Sequence, residues 1–399
     1  MGATWWLMAI CLLCCVFCAC HKNYIEPVTD DEGQEVMVTL SVKLPGVSDG
    51  VKTYALSDAD ENFLKDVDVL VFTDDGSGMT FRYRSVGTDI VQSTGTGISA
   101  EIKVRLWRTD VDTRLVILAN VREQVNNYDF DTGVTTLGDF QTGLIYELSL
   151  EQEWLAHDGN FTPLPMWAAY DVVGGIDEGI KGDIGSLTEP ISLLRSLARV
   201  DIAVDPGITN FVLTDVYVYN SNASGSIIPD ELNFDATQNR VTAVSLPSTL
   251  NNSRLHYDEI GVDNALNGEI YLFEAGAATN FKDAAATALV IGGLYNGTDQ
   301  VFYRIDFRNP VDTTQAQPIL RNHRYQINVT GIAGITWTSA NPDVAFNMGS
   351  IPPKAAFGPA VGRSPGRSGS RQSLPPYSGT ILPSSSGITY SVTAIDENQ

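Results

Sequence analysis

A cysteine at the end of an apolar run can take a lipid, and Cys20 is such a residue. All five cysteines, Cys11, Cys14, Cys15, Cys18 and Cys20, fall within the first twenty of 399 residues. They lie in or just after the apolar run Trp5–Ala19, and Cys20 opens the polar stretch His21-Lys22-Asn23. A disulfide framework would spread cysteines through the folded body. Phe17-Cys18-Ala19-Cys20 instead resembles a bacterial lipobox, in which Ala19 precedes the cleaved bond and Cys20 carries the acyl chains, palmitate among them. It departs from that pattern in Phe17, where Leu is usual, in Cys18, where Ala or Ser is usual, and in having no Lys or Arg before the run. A plain secretory peptide and an uncleaved anchor are the alternatives. The run of about 15 residues falls short of the roughly 20 that span a bilayer, which argues against the anchor. With Cys20 as the new N-terminus, no other thiol remains for a catalytic cysteine, a thiolate zinc site or an iron–sulfur cluster.

Other chemistry finds little support. The four histidines, His21, His157, His256 and His323, have no ligand spacing, so no metal and no cofactor is expected. Asp58-Ala59-Asp60-Glu61 lacks the glycine and bidentate glutamate of an EF-hand and reads as a solvated capping run before Phe63-Leu64. Asp171, Asp177, Glu178 and Asp183 match no ligand repeat. No Gly-x-Ser-x-Gly elbow occurs, since Gly95-Thr96-Gly97 and Gly366-Arg367-Ser368-Gly369 both miss it. His256 reads as a sheet-surface histidine. The chain is not expected to be an enzyme. A net charge of -23 argues against nucleic acid and anionic lipid surfaces as partners.

The elements are short alternating runs separated by Gly, Asn and Asp, which predict an all-β protein. Val36–Val42, Val67–Phe72 and Ile98–Leu106 alternate, and Leu115–Asn120 is apolar enough to sit in a core. Asp139–Trp154 is open between a helix and a strand–loop pair. A second cycle of strands runs through Ser196–Val204, Phe211–Tyr219, Glu269–Glu274, Thr287–Leu294, Val301–Phe307 and Tyr325–Val329. The expected division is a signal segment at 1–20, a tether at 21–34, sandwiches at 35–190 and 191–345, and a flexible tail at 346–399 with a strand at 388–395. Between Val344 and Ile395 there is no Asp or Glu, and Pro, Gly, Ser and Arg dominate. That tail reads either as a linker followed by a detachable strand or as an end outside the true reading frame.

Four segments go beyond generic β-protein. Phe63–Phe72, Val116–Asn120, Leu194–Val200 and Ile319–Val329 occur in this order, with Pro165-Met166-Trp167 and Tyr217-Val218-Tyr219-Asn220 between them. Together, over about residues 35 to 335, they resemble the fimbrillins, lipoprotein-derived subunits of type V pili in Bacteroidia. The resemblance implies two tandem transthyretin-like Greek-key β-sandwiches at the outer membrane and in a cell-surface fimbrium. It implies a surface protease that removes the first strand, and a vacated groove that an extended C-terminal segment of another subunit fills.

In this chain the removable strand would be Glu35–Leu44, burying Val36, Val38, Leu40 and Val42. The donor anchors would be Ile388, Tyr390, Val392 and Ala394. Implied partners are other pilus subunits, in a homo- or hetero-polymer, the outer membrane through the lipid, the protease, and a host or bacterial surface ligand. The family's usual Arg before the cut is missing, since Tyr54 stands there and no Arg occurs between Cys20 and Arg82. Lys52-Thr53 is the candidate cleavage point. Without cleavage the subunit would act as a membrane anchor. A surface glycan-binding lipoprotein is the reading from another class, and exposed platforms at Trp107, Trp154 or Trp167 would favour it.

Overall fold

Alternation along the first strand sets the architecture of the N-terminal half. The computed structural model describes residues 35–46, 56–332, 341–348 and 388–397, apart from short stretches at 75, 77, 94–98, 158, 178–179, 181–182, 186–188, 246–249, 251 and 282. Ala19, Cys20, the tether and Lys52-Thr53 lie outside the described residues. Strand β1 (Glu35–Lys43) turns Val36, Val38, Leu40 and Val42 inward and Glu35, Met37 and Lys43 outward. In one sheet it joins β4 (Thr88–Gln92), β5 (Ser99–Trp107), β8 (Asp183–Ile184) and β9 (Ile191–Ser192).

The facing sheet runs β10-β7-β6-β2-β3, built from β2 (Val67–Asp74), β3 (Met79–Val86), β6 (Thr113–Ala119), β7 (Met166–Val172) and β10 (Leu194–Arg195). Leu115, Ile117 and Ala119 of β6 meet the β1 side chains in the first core. Val116 and Leu118 point the other way, into a second cluster with α1 (Arg122–Asn127), α2 (Leu137–Gly143) and Ile227, Ile228 and Val241. An unbroken apolar run is what a strand covered on both faces requires.

The second half repeats the plan. One sheet runs β14-β11-β17-β18, from β11 (Ala198–Val204), β14 (Ala265–Leu272), β17 (His323–Ile332) and β18 (Ile388–Asp396). The other runs β13-β12-β15-β16, from β12 (Phe211–Asn222), β13 (Asn252–Tyr257), β15 (Ala288–Tyr295) and β16 (Asp299–Asp306). Val200, Ile202, Val216, Val218, Ile291 and Ile327 fill the space between them.

Two expectations change, and one open segment is resolved. Ile191–Ser192 pairs with β1 and Leu194–Arg195 with β7, so the exchange of sandwiches falls after Arg195 and not at 190. The tail does not begin at 346, because α3 (Pro342–Met348) packs Ala345 and Phe346 on the outer face of the second sandwich, with Phe346 stacked on Tyr219 at 4.3 Å. The segment 139–154 holds the end of α2, opened by a Thr136/Asp139 capping box, and a short strand Ile145–Glu147 that pairs with Ser224–Ser226 of the second half.

Candidate functional site

The sequence singles out the first and last strands, and their positions differ in kind. β1 is an inner strand. It runs antiparallel to β5, with Val36 opposite Leu106, Val38 opposite Val104, Leu40 opposite Ile102 and Val42 opposite Ala100. On its other side it runs parallel to β8, with Leu40 beside Ile184, and to β9, with Val42 beside Ile191. All four inward side chains are at most 1% exposed. Gly185 lets the chain close on this strand. Its φ is 73°, and a Cβ there would stand 2.8 Å from the Ser41 carbonyl oxygen.

β18 is an edge strand with β17 as its neighbour among the described residues. It runs antiparallel to β17, pairing Val392 with Ile327, Tyr390 with Val329 and Ala394 with Tyr325. Ile388 and Val392 are buried in the second core, while Tyr390 and Ala394 are partly buried beside it. The Tyr390 hydroxyl accepts from Arg308 Nε at 2.9 Å and from the Asp306 N–H at 3.1 Å. The four residues named as donor anchors are thus seated in their own subunit.

Between the two strands lies a buried polar junction that the sequence reading did not anticipate. Arg195 and Arg199 are 2% and 3% exposed at the seam between the sandwiches. Arg199 donates to Glu61 at 3.0 Å and to Asp201 at 2.9 Å, and Arg195 pairs with Glu61 and Glu397. Arg195 also reaches the Asn62 side chain at 2.9 Å. Opposite charges hold both guanidinium groups protonated against the cost of burial. Nearby, Arg321 donates to Glu274 at 2.8 Å and to the carbonyls of Ser226 and Ile227.

Asn120 and Asn322 adopt left-handed backbone, at φ 62° and 56°. Asn120 spans three chain segments, accepting from the Lys65 N–H and donating to the carbonyls of Phe63 and Leu164. The three arginines and both left-handed asparagines come from the segments that carried the family resemblance. Their partners are far apart in sequence, so no local spacing announces the cluster. A cation in an otherwise apolar run, as in Leu194–Val200, is the signal that could have found it. Glu61, expected in a solvated capping run, is instead a buried anion, although Ser57 does cap that turn through the Asp60 N–H.

The aromatic platforms fare unevenly. Trp154 and Trp167 are buried at 2% and 3%, with Trp154 Nε1 donating to the Thr162 carbonyl. Trp107 is half-buried at a groove of about 540 Å³ that also includes Met37, Lys103 and Arg105. There Lys103 is already paired with Asp89 and Arg105 with Glu35. His256 lies on a sheet surface, stacked on Tyr217 at 4.2 Å and 2.9 Å from Asp215. Among the described residues no three His, Asp or Glu groups gather at metal-ligand spacing.

One carboxyl in the second sandwich is tuned by burial. On β14, desolvation and then the Glu259 and Glu153 carboxylates push Glu269 up to about 7, from an ordinary 4.5. An acid raised in the folded state keeps a proton that the unfolded chain has lost. Its contribution is therefore full below about 4.5 and is lost as pH rises through about 7. Glu269→Gln should melt higher than the parent at pH 8 and close to it at pH 5. An equal difference at the two pH values would contradict this account.

No family model matches the chain, and no curated protein matches it in sequence. Solved structures do match. The tip fimbrial protein Mfa3 from Porphyromonas gingivalis, with a C-terminal truncation, aligns over 76% of this chain and 97% of its own, at 13% identity and a TM-score of 0.50. The fimbrilin FimA of the same organism aligns over 74% and 90%, at 15% identity and a TM-score of 0.38. The fimbrial anchor protein Mfa2, again from P. gingivalis, aligns over 74% and 91%, at 14% identity and a TM-score of 0.34. These are structural fimbrial proteins and not enzymes. The chain is an all-β, double-sandwich protein, and the fold is the one it shares with the fimbrial tip protein.

Proposed function

We propose that the chain is a structural subunit of a cell-surface fimbrium. It is exported as a lipoprotein through Cys20 and assembled by strand exchange after a protease cuts at Lys52-Thr53. The observation that carries this reading is the contrast between β1 and β18. Among the described residues β1 is paired on both sides, and β18 on one. A strand that leaves an edge for an inner slot gives up one ladder of hydrogen bonds and gains two. The slot also offers the places of four buried apolar side chains, each contributing about 1.5–3 kcal/mol when buried. An empty slot is correspondingly costly for a lone subunit. Ile388, Tyr390, Val392 and Ala394 have the alternate spacing the slot accepts. The fold shared with a fimbrial tip protein supports the same assignment.

Trypsin would also cut after Lys354, Arg363, Arg367 and Arg371, between α3 and β18, so the cut is made with a site-specific protease whose recognition sequence replaces Lys52-Thr53. It should convert the monomer to ladders that resist mild denaturation, and deleting residues 378–399 should abolish them. Ladders that survive the deletion would place the donor elsewhere in the chain. Treated protein that stays monomeric would favour a subunit that retains β1 and serves as an anchor.

A further inference from the structure

The end of β18 does not fray into solvent but turns into the junction between the sandwiches. Glu397, which follows the strand, is 9% exposed and pairs with Arg195. Its N–H donates to the Asn322 carbonyl at 3.1 Å, and its carbonyl accepts from the Gly46 N–H at 2.7 Å. Gly46 lies three residues beyond β1, on the stretch that would leave with β1 after a cut at Lys52. One residue therefore fastens the last strand to the exit of the first.

We infer that Glu397 is a latch. It keeps β18 in its own subunit while β1 is in place, and the departure of β1, taking Gly46 with it, releases the last strand. The purpose of the latch rests on the strand-exchange reading above, but its existence does not, because it operates within a single chain. The charges suit a fastening that can open. Glu61, Asp201 and Glu397 face Arg195 and Arg199 directly, with a weaker pull on Glu397 from Arg324. Without Glu397, Glu61 still pairs with both arginines and Asp201 with Arg199, so no buried guanidinium is left alone. Glu397 is thus the member of the cluster that can be withdrawn at least cost. Burial also raises the Glu397 carboxyl, the mark of an anion held with less than full compensation.

Amide hydrogen exchange on the uncut, monomeric full-length chain reads the latch directly. In Glu397→Ala the amides of residues 388–396 should exchange about tenfold faster, with those of β1 and β11 unchanged. Gly46→Ala is the second variant. Its Cβ would press within 3.0 Å of the Glu397 carbonyl oxygen, so it should loosen the same amides without touching the charge cluster. Unchanged β18 protection in both variants overturns the latch. Global acceleration in Glu397→Ala, alongside unaltered β18 exchange in Gly46→Ala, also overturns it, because the residue would then be a structural charge only. Cut by a site-specific protease at a recognition sequence replacing Lys52-Thr53, Glu397→Ala should form ladders faster than the parent. Loosened β18 with no ladders in either protein would sink the strand-exchange reading and leave the latch standing.

Discussion

Arg195→Met lowers the stability of the whole chain by about 3–5 kcal/mol, the usual cost of stranding buried charges. Methionine fills much of the same space but leaves Glu397 without its main partner and Glu61 with Arg199 alone. It also removes the donor to the Asn62 side chain. Because Arg195 stands where β10 of the first sandwich leads into β11 of the second, both sandwiches should feel the loss. Urea unfolding followed separately through Trp167 of the first sandwich and a label on the second should show both transitions moving together. A loss confined to one transition, or one below about 1 kcal/mol, would mean the pairs are compensated by solvent in the manner of surface ion pairs.

Leu40→Ala should cost about 2–5 kcal/mol, the range for a large-to-small change in a core. Leu40 is fully buried between Ile102 on one neighbour and Ile184 on the other, so the cavity has packed walls on both sides. The effect belongs to the first sandwich, and β1 in a nicked chain should dissociate faster in proportion. Met37→Ala on the same strand is the control. Its side chain is 46% exposed, and the change should stay within about 0.5 kcal/mol, as surface substitutions do. Comparable losses at the two positions would show that β1 is held by its backbone ladders and not by its buried face.

The strands were legible where period two was sustained against a single core. Val36–Val42 and Ile98–Leu106 carry that alternation openly, and Leu115–Asn120 announces a doubly covered strand by having none. The boundary near 190 was not legible, because Ile191–Ser192 and Leu194–Arg195 are too short to show a period. Asp139–Trp154 stayed open for a related reason. α2 has just two buried residues, Leu137 and Phe140, and its cap is the stronger signal. At the site, the four inward residues of β1 follow from pattern alone. The junction does not, since Arg195 meets Glu397 from 202 positions away and Arg199 meets Glu61 from 138. Such pairings are made by topology and leave no mark on local spacing. α3 was lost in a tail judged by composition, although Phe346 alone accounts for much of its hold, stacked on Tyr219 and beneath the Arg304 guanidinium at 4.3 Å.

The mixed neighbourhood of β1 has a geometric consequence. With an antiparallel partner on one flank and parallel partners on the other, the slot has a compass direction. A strand laid in backwards would be parallel to β5 and antiparallel to β8, and neither ladder would keep its hydrogen-bond spacing. Each copy has one such slot and one terminal strand, located in different sandwiches. If copies join through them as proposed, each giving its strand to one neighbour and filling its slot from another, they all point the same way, head to tail; only a reciprocal swap between two copies would close the pair about a two-fold axis. The one-way arrangement would give an open file with distinguishable ends, one presenting an unfilled slot and the other an undonated strand.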